Sequence, residues 1–194
     1  MKILQVSKCW RQDVDKILEY HPSVDLVIGN NLGFEFVDMG ETDDPYYLPE
    51  LRGVQEAAKR GAEYILWYAS DVTPPEGDWV TPALKLLKKY PIVSPFWMDN
   101  YKAVLDTFIR EERGGVKETE FGFEDHMFSD QAYIAKVSTM QNIDYNADSY
   151  VKNFYPPHGG NSFECRVAQW LESTNQRRAV LRDFQYRHTL AREK

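Results

Sequence analysis

A chain of 194 residues with 43% hydrophobic and 14% aromatic side chains can bury a full core, and its length suits a single domain over 1–194. No apolar run approaches the ~20 residues that cross a bilayer, and MKILQVSKCW turns polar too soon for a secretory signal, so a cytoplasmic chain with no membrane span is expected. The formal charge of −7 disfavours a grip on nucleic acid through its phosphates, and Cys9 and Cys165, far apart and outside any metal-binding spacing, mark neither a disulfide framework nor a structural zinc site.

Lys2 to Val6 reads as a first strand, and RQDVDKILEY follows with Val14, Ile17 and Leu18 at helical spacing. Val24 to Ile28 is a second compact run, stopped by Gly29-Asn30-Asn31, and Phe34 to Val37 alternates as a third strand would. LPELRGVQEAAKRG then carries Leu48, Leu51, Val54, Ala57 and Ala58 on one helical stripe, with Pro49 near its start and Gly61 where a C-terminal cap belongs. Next comes YILWYASDVTPP, an apolar strand that runs into Asp71 and is ended by two prolines. A helix over Trp79 to Lys89 and the strand IVSPFW repeat the pattern, which describes α/β winding around a mostly parallel sheet.

Tyr101 to Glu112 forms another helical face through Val104, Leu105, Phe108 and Ile109. GGVKETEFGFEDHM reads as a polar, glycine-broken loop able to order over a ligand. Beyond it the sequence predicts a helix opened by Phe128-Ser129-Asp130-Gln131, an irregular stretch containing YPPHGG, a helix from Asn161 to Leu171 and a final strand through RRAVLRDFQYRH. Trp67, Trp79, Trp97 and Trp170 fall in or beside these elements, where packing is the expected role, whereas Trp10 in a loop is placed to stack on a base.

Asp71 has two readings. Asp followed closely by Pro is ordinary turn chemistry, while a carboxylate at the carboxyl end of a buried strand sits where open α/β sheets place their ligands. EAAKRGAEYILWYASDV resembles the helix, glycine, strand and acidic-motif passage of GT-A fold glycosyltransferases of the family-2 type, and WVTPALKLLKKYPIVSPFW resembles their next helix and strand. NSFECRVAQWL is similar to the helix that carries their general base, and YRH at 186 to 188 to the strand whose histidine closes the core. The usual Asp-x-Asp is here Ala69-Ser70-Asp71, with a single carboxylate.

The resemblance implies a Rossmann-related sheet flanked by helices, and transfer of a sugar from a UDP- or GDP-sugar to a hydroxyl acceptor with inversion. It implies Mn²⁺ or Mg²⁺ on Asp71 and His188, a hard cation with few protein ligands whose remaining positions the diphosphate fills. Glu164 corresponds to the base, with Asp130 as its competitor; each also has a plain helix-capping role, Glu164 in a capping box with Asn161. Nucleotide contacts are expected from Ser7, Asn30, Asn31, Arg52 and Ser70, the guanidinium of Arg52 being suited to a phosphate. His158 in YPPHGG reads as a loop residue facing solvent. Two rivals stand beside this reading: a nucleotidyltransferase, and a silent relative that binds a nucleotide sugar or a partner.

Overall fold

The computed structural model describes residues 1–9, 17, 19–29, 36–38, 48–97, 116–145 and 163–188. The elements are β1 (Ile3–Cys9), β2 (Leu26–Gly29), β3 (Phe36–Asp38), α1 (Leu48–Lys59), β4 (Tyr64–Ala69), β5 (Val72–Thr73), α2 (Val80–Leu86) and β6 (Ile92–Trp97). β7 (Lys117–Thr119), β8 (Gly122–Asp125), β9 (Ala132–Lys136), α3 (Val137–Gln141), α4 (Phe163–Ser173) and β10 (Arg178–His188) follow. The strands join in the order β3-β2-β1-β4-β9-β6-β10-β8-β7, and β5 pairs with β10 off this path.

β3, β2, β1 and β4 are parallel neighbours, and β6 is parallel to β10. β9 lies between β4 and β6 and runs against both. The unbroken apolar run of β4 has its cause in this layering: Ile65 and Trp67 enter a core beneath α1, α3 and α4, while Leu66 and Tyr68 enter a second core beneath α2. A strand covered on both faces has no polar side to alternate with.

Helix α1 ends as its sequence predicts. Gly61 takes φ of +66°, and the amides of Gly61 and Ala62 close back on the carbonyls of Ala58 and Ala57, both at 2.9 Å. Its other glycine fixes a distance: a Cβ at Gly53 would stand 2.7 Å from Cζ3 of Trp67, so the helix lies directly on the β4 tryptophan.

Two expectations are corrected. FSDQ does not open a helix; Ala132, Tyr133, Ile134 and Ala135 are fully buried in β9, and the helix starts only at Val137. Ser129 and Asp130 are polar turn residues before a strand, a position their chemistry fits as well as an N-cap. The segment read as a loop contains the hairpin β7–β8, whose charged residues are held by partners. Arg178 Nε meets Asp125 Oδ1 at 2.8 Å, and the Tyr90 hydroxyl donates to Glu124 Oε2 at 2.6 Å. The helix over Tyr101 to Glu112 lies outside the described residues.

Candidate functional site

β1, β4, β6 and β10 all end at one rim of the sheet, and β9, running backwards, begins there: the Ala69 amide donates to the Gln131 carbonyl at 2.8 Å. The same rim receives the first turn of α1 through Glu50 and of α4 through Glu164. Lys8, one residue before the end of β1, meets the first of these and the turn before β9: its Nζ stands 2.6 Å from Glu50 Oε1 and 3.5 Å from Asp130 Oδ2. The Asp130 amide in turn donates to Glu164 Oε1 at 3.0 Å.

Burial and charge compete here. Burial alone would lower the Lys8 pKa, yet the Asp130 and Glu50 carboxylates carry it above the usual lysine range. Glu50 is pushed up to about 7 by burial, which outweighs the pull of Lys8. Glu164 is pushed up to about 8 by burial and by the charge of Asp130. Sequence reasoning singled out Asp130 and Glu164 but not their neighbours Lys8 and Glu50, because a lysine inside a strand and a glutamate in a helix's first turn are everyday surface residues until the fold buries them.

The two residues expected to bind metal lie near each other in register. β5 and β10 are antiparallel, with His188 opposite Val72 and Arg187 opposite Thr73, so His188 lies across from the residue that follows Asp71. Aspartate and histidine are donor types that suit a Mn²⁺ or Mg²⁺ arriving with a diphosphate. Among the described residues no cluster of three or more His, Cys, Asp or Glu side chains forms an all-protein cage. A groove of about 450 Å³ runs beside the ladder, with polar walls from Thr73, Glu76, Asp183, Gln185 and Arg187.

Of the expected nucleotide contacts, Ser7 and Ser70 are buried, at 0% and 1% exposure. Arg52 is partly exposed on α1, with its guanidinium 3.4 Å from Glu56. Asn30, Asn31, Trp10 and His158 lie outside the described residues, as does Asn161, the partner of the capping-box reading. Trp67 and Trp79 are core residues, and the Trp79 indole donates to the Tyr68 hydroxyl at 2.7 Å. Ala69, at the position of the missing first carboxylate, is itself 3% exposed.

No family model matches the chain, and no curated protein does. Solved structures do, at identities that speak to the fold. GalNAc-T7 with UDP, GalNAc and Mn²⁺ superposes at TM-score 0.58 and 8% identity over 97% of this chain and 44% of its own. TarS 1–349 of S. aureus with UDP-GlcNAc gives 0.56 and 11% over 100% of this chain and 60% of its own. CMP:2-keto-3-deoxy-manno-octonic acid synthetase with CTP gives 0.55 and 11% over 94% and 90%. The chain shares a GT-A-like fold with these structures, a large central sheet flanked by helices.

Proposed function

We propose that this protein is a glycosyltransferase that moves a sugar from a nucleoside-diphosphate donor to a hydroxyl acceptor, with inversion. The observation that carries the reading is that the strand ends at one rim bring His188, paired with the Val72 that follows Asp71, to the same end of the sheet as Asp130, whose amide donates to Glu164. Asp71 and His188 would hold Mn²⁺ or Mg²⁺, which when bound neutralises the departing diphosphate. Asp130 and Glu164 supply a carboxylate for the acceptor's proton. Ser7, Asn30, Asn31, Arg52 and Ser70 are proposed on the nucleotide side, and the polar groove beside β5 suits a hydroxyl-rich ligand. The fold shared with proteins bound to UDP and to UDP-GlcNAc supports a UDP-sugar as the donor.

A nucleotidyltransferase is the second reading, favoured by the likeness to the CTP-bound synthetase, which extends over 90% of that chain. Thermal unfolding with UDP-, GDP-, TDP- and CMP-sugars and with CTP, each with and without Mn²⁺, separates the two, because a ligand of the native state raises the midpoint by mass action. Stabilisation by a nucleotide sugar with Mn²⁺, followed by release of the sugar, supports transfer. Stabilisation by CTP alone supports the second reading, and no response to any nucleotide sugar overturns the first.

A further inference from the structure

Among the described residues, one cation, Lys8, stands among three carboxyl groups at the rim. Glu50 has a fully buried side chain; Lys8 takes Oε1, and Oε2 has no hydrogen-bond partner among the described residues. Tyr133, 0% exposed on β9 and electrostatically coupled to Glu50 and Asp130, likewise has an unpartnered hydroxyl. Asp130 differs. Its Oδ1 accepts Nε2–H of Gln131 at 2.9 Å and its Oδ2 faces Lys8 at 3.5 Å, so donors meet both oxygens. Glu164 is bound to the same residue through the Asp130 amide. Three negative charges against one positive in a space largely closed to water are unfavourable, since each uncompensated charge loses its hydration. The charge that survives belongs where the donors are.

Resting on the glycosyl-transfer reading of the rim, we propose that Lys8, anchored by Glu50 and shared with it, is a positioning residue that holds the cluster's negative charge on Asp130, with Glu164 as its protonated partner, so that Asp130 takes the acceptor's proton. In that step the acceptor O–H bond breaks and its proton passes to an Asp130 oxygen. The acceptor oxygen's electron pair forms the new bond to the anomeric carbon, and the bond from that carbon to the diphosphate breaks with its pair leaving on the phosphate oxygen. Glu164 keeps its own proton throughout. The upward displacement of the Glu164 pKa by burial and by the charge of Asp130 agrees with this assignment. Among the described residues, Lys8 from β1, Glu50 from α1, Ser129, Tyr133 from β9 and Tyr186 from β10 act on the pair.

Carbon-13 NMR titration of the side-chain carboxyls in the free protein tests the placement of charge without donor, metal or acceptor. The Glu164 resonance is expected to titrate near or above neutrality, and Asp130→Asn to lower its midpoint by at least about one pH unit by removing the neighbouring charge. In UDP-sugar turnover, Lys8→Met is expected to move the acidic limb of kcat/KM alkaline by about one unit or more, with Lys8→Arg restoring the wild-type limb. Glu50→Gln, close to isosteric, guards against a Lys8→Met protein that does not fold. It frees the ammonium to serve Asp130 alone and moves the limb the opposite way. A Glu164 that titrates in the ordinary carboxylate range, or Lys8→Met and Glu50→Gln profiles that superimpose on wild type, overturns the proposal. Expected NMR titrations in a protein that transfers no sugar would refute the transferase reading and leave the placement of charge standing.

Discussion

The carbonyl of Ala69 accepts Nε2–H of His21 at 3.2 Å, and the His21 ring stacks on Tyr68 with centroids 5.0 Å apart. The residue at the position of the first carboxylate of the Asp-x-Asp motif is therefore sealed beneath an imidazole, with its amide taken by Gln131. An aspartate there would be a buried charge, and Lys8, its register partner on β1, is already engaged by Glu50 and Asp130. Ala69→Asp is expected not to restore a two-carboxylate motif but to destabilise the fold by about 1–3 kcal/mol or more in urea unfolding. A variant as stable as wild type that binds Mn²⁺ more tightly would contradict this.

The dependence of stability on pH has two opposed sources. Burial lowers the His21 pKa from 6.5 to about 4, against the hydrogen bond to Ala69, so its stabilisation is present above 6.5 and is lost as pH falls toward 4; the full effect is of order 3 kcal/mol. Glu50 and Glu164 act the other way. Their folded pKa values are raised from 4.5, so the stability they contribute is present below 4.5 and is lost as pH rises through about 7 and 8. Of these three groups only the glutamates remain in play above 6.5, and their contribution to the unfolding free energy is expected to fall between pH 6.5 and 8. Urea titrations at fixed pH check it: His21→Phe flattens the acid side, and Glu50→Gln flattens part of the neutral side.

The proposed metal dependence is tested most directly through Asp71, which is partly buried in the turn between β4 and β5. Asp71→Asn keeps the shape of the turn and removes the charge. The fold is expected to survive with its midpoint little changed, while the extra stabilisation that Mn²⁺ gives to a bound nucleotide sugar disappears and turnover falls by at least about 10²-fold. Calorimetric titration of the donor into Asp71→Asn with and without Mn²⁺ measures the loss; an undiminished Mn²⁺ effect would move the metal elsewhere.

Gly53 is the point at which α1 touches the sheet. With a Cβ only 2.7 Å from the Trp67 ring, Gly53→Ala is expected to cost about 1–3 kcal/mol through overpacking. The helix must also lift, and Glu50, one turn earlier on it, lifts away from Lys8. Thermal unfolding gives the first effect, and a change in the pH profile of turnover gives the second.

Much of the architecture was legible in the sequence because each element there carried its own punctuation. Gly61 ends α1 in the left-handed conformation, and the two-faced burial of β4 is written in its unbroken apolar run. β9 was hidden because Ser129 and Asp130 open a turn as readily as a helix, and only the strands on either side decide between them. The hairpin β7–β8 was hidden because its glutamate and aspartate are paired with Tyr90 and Arg178, residues 34 and 53 positions away. At the rim, Asp71, Asp130 and Glu164 stand out by motif, whereas Lys8 and Glu50 matter through a contact across 42 positions that no local pattern encodes.

The rim is gathered from residues 8, 50, 71, 130, 164 and 188, which lie on six separate stretches of chain and meet at one end of the sheet through a strand that runs backwards. No fragment of the protein contains it. Ligand binding at the rim therefore reports on the integrity of the whole molecule: along a denaturant gradient, donor binding is expected to vanish together with the near-ultraviolet signal of the buried Trp67 and Trp79, in one transition with a common midpoint.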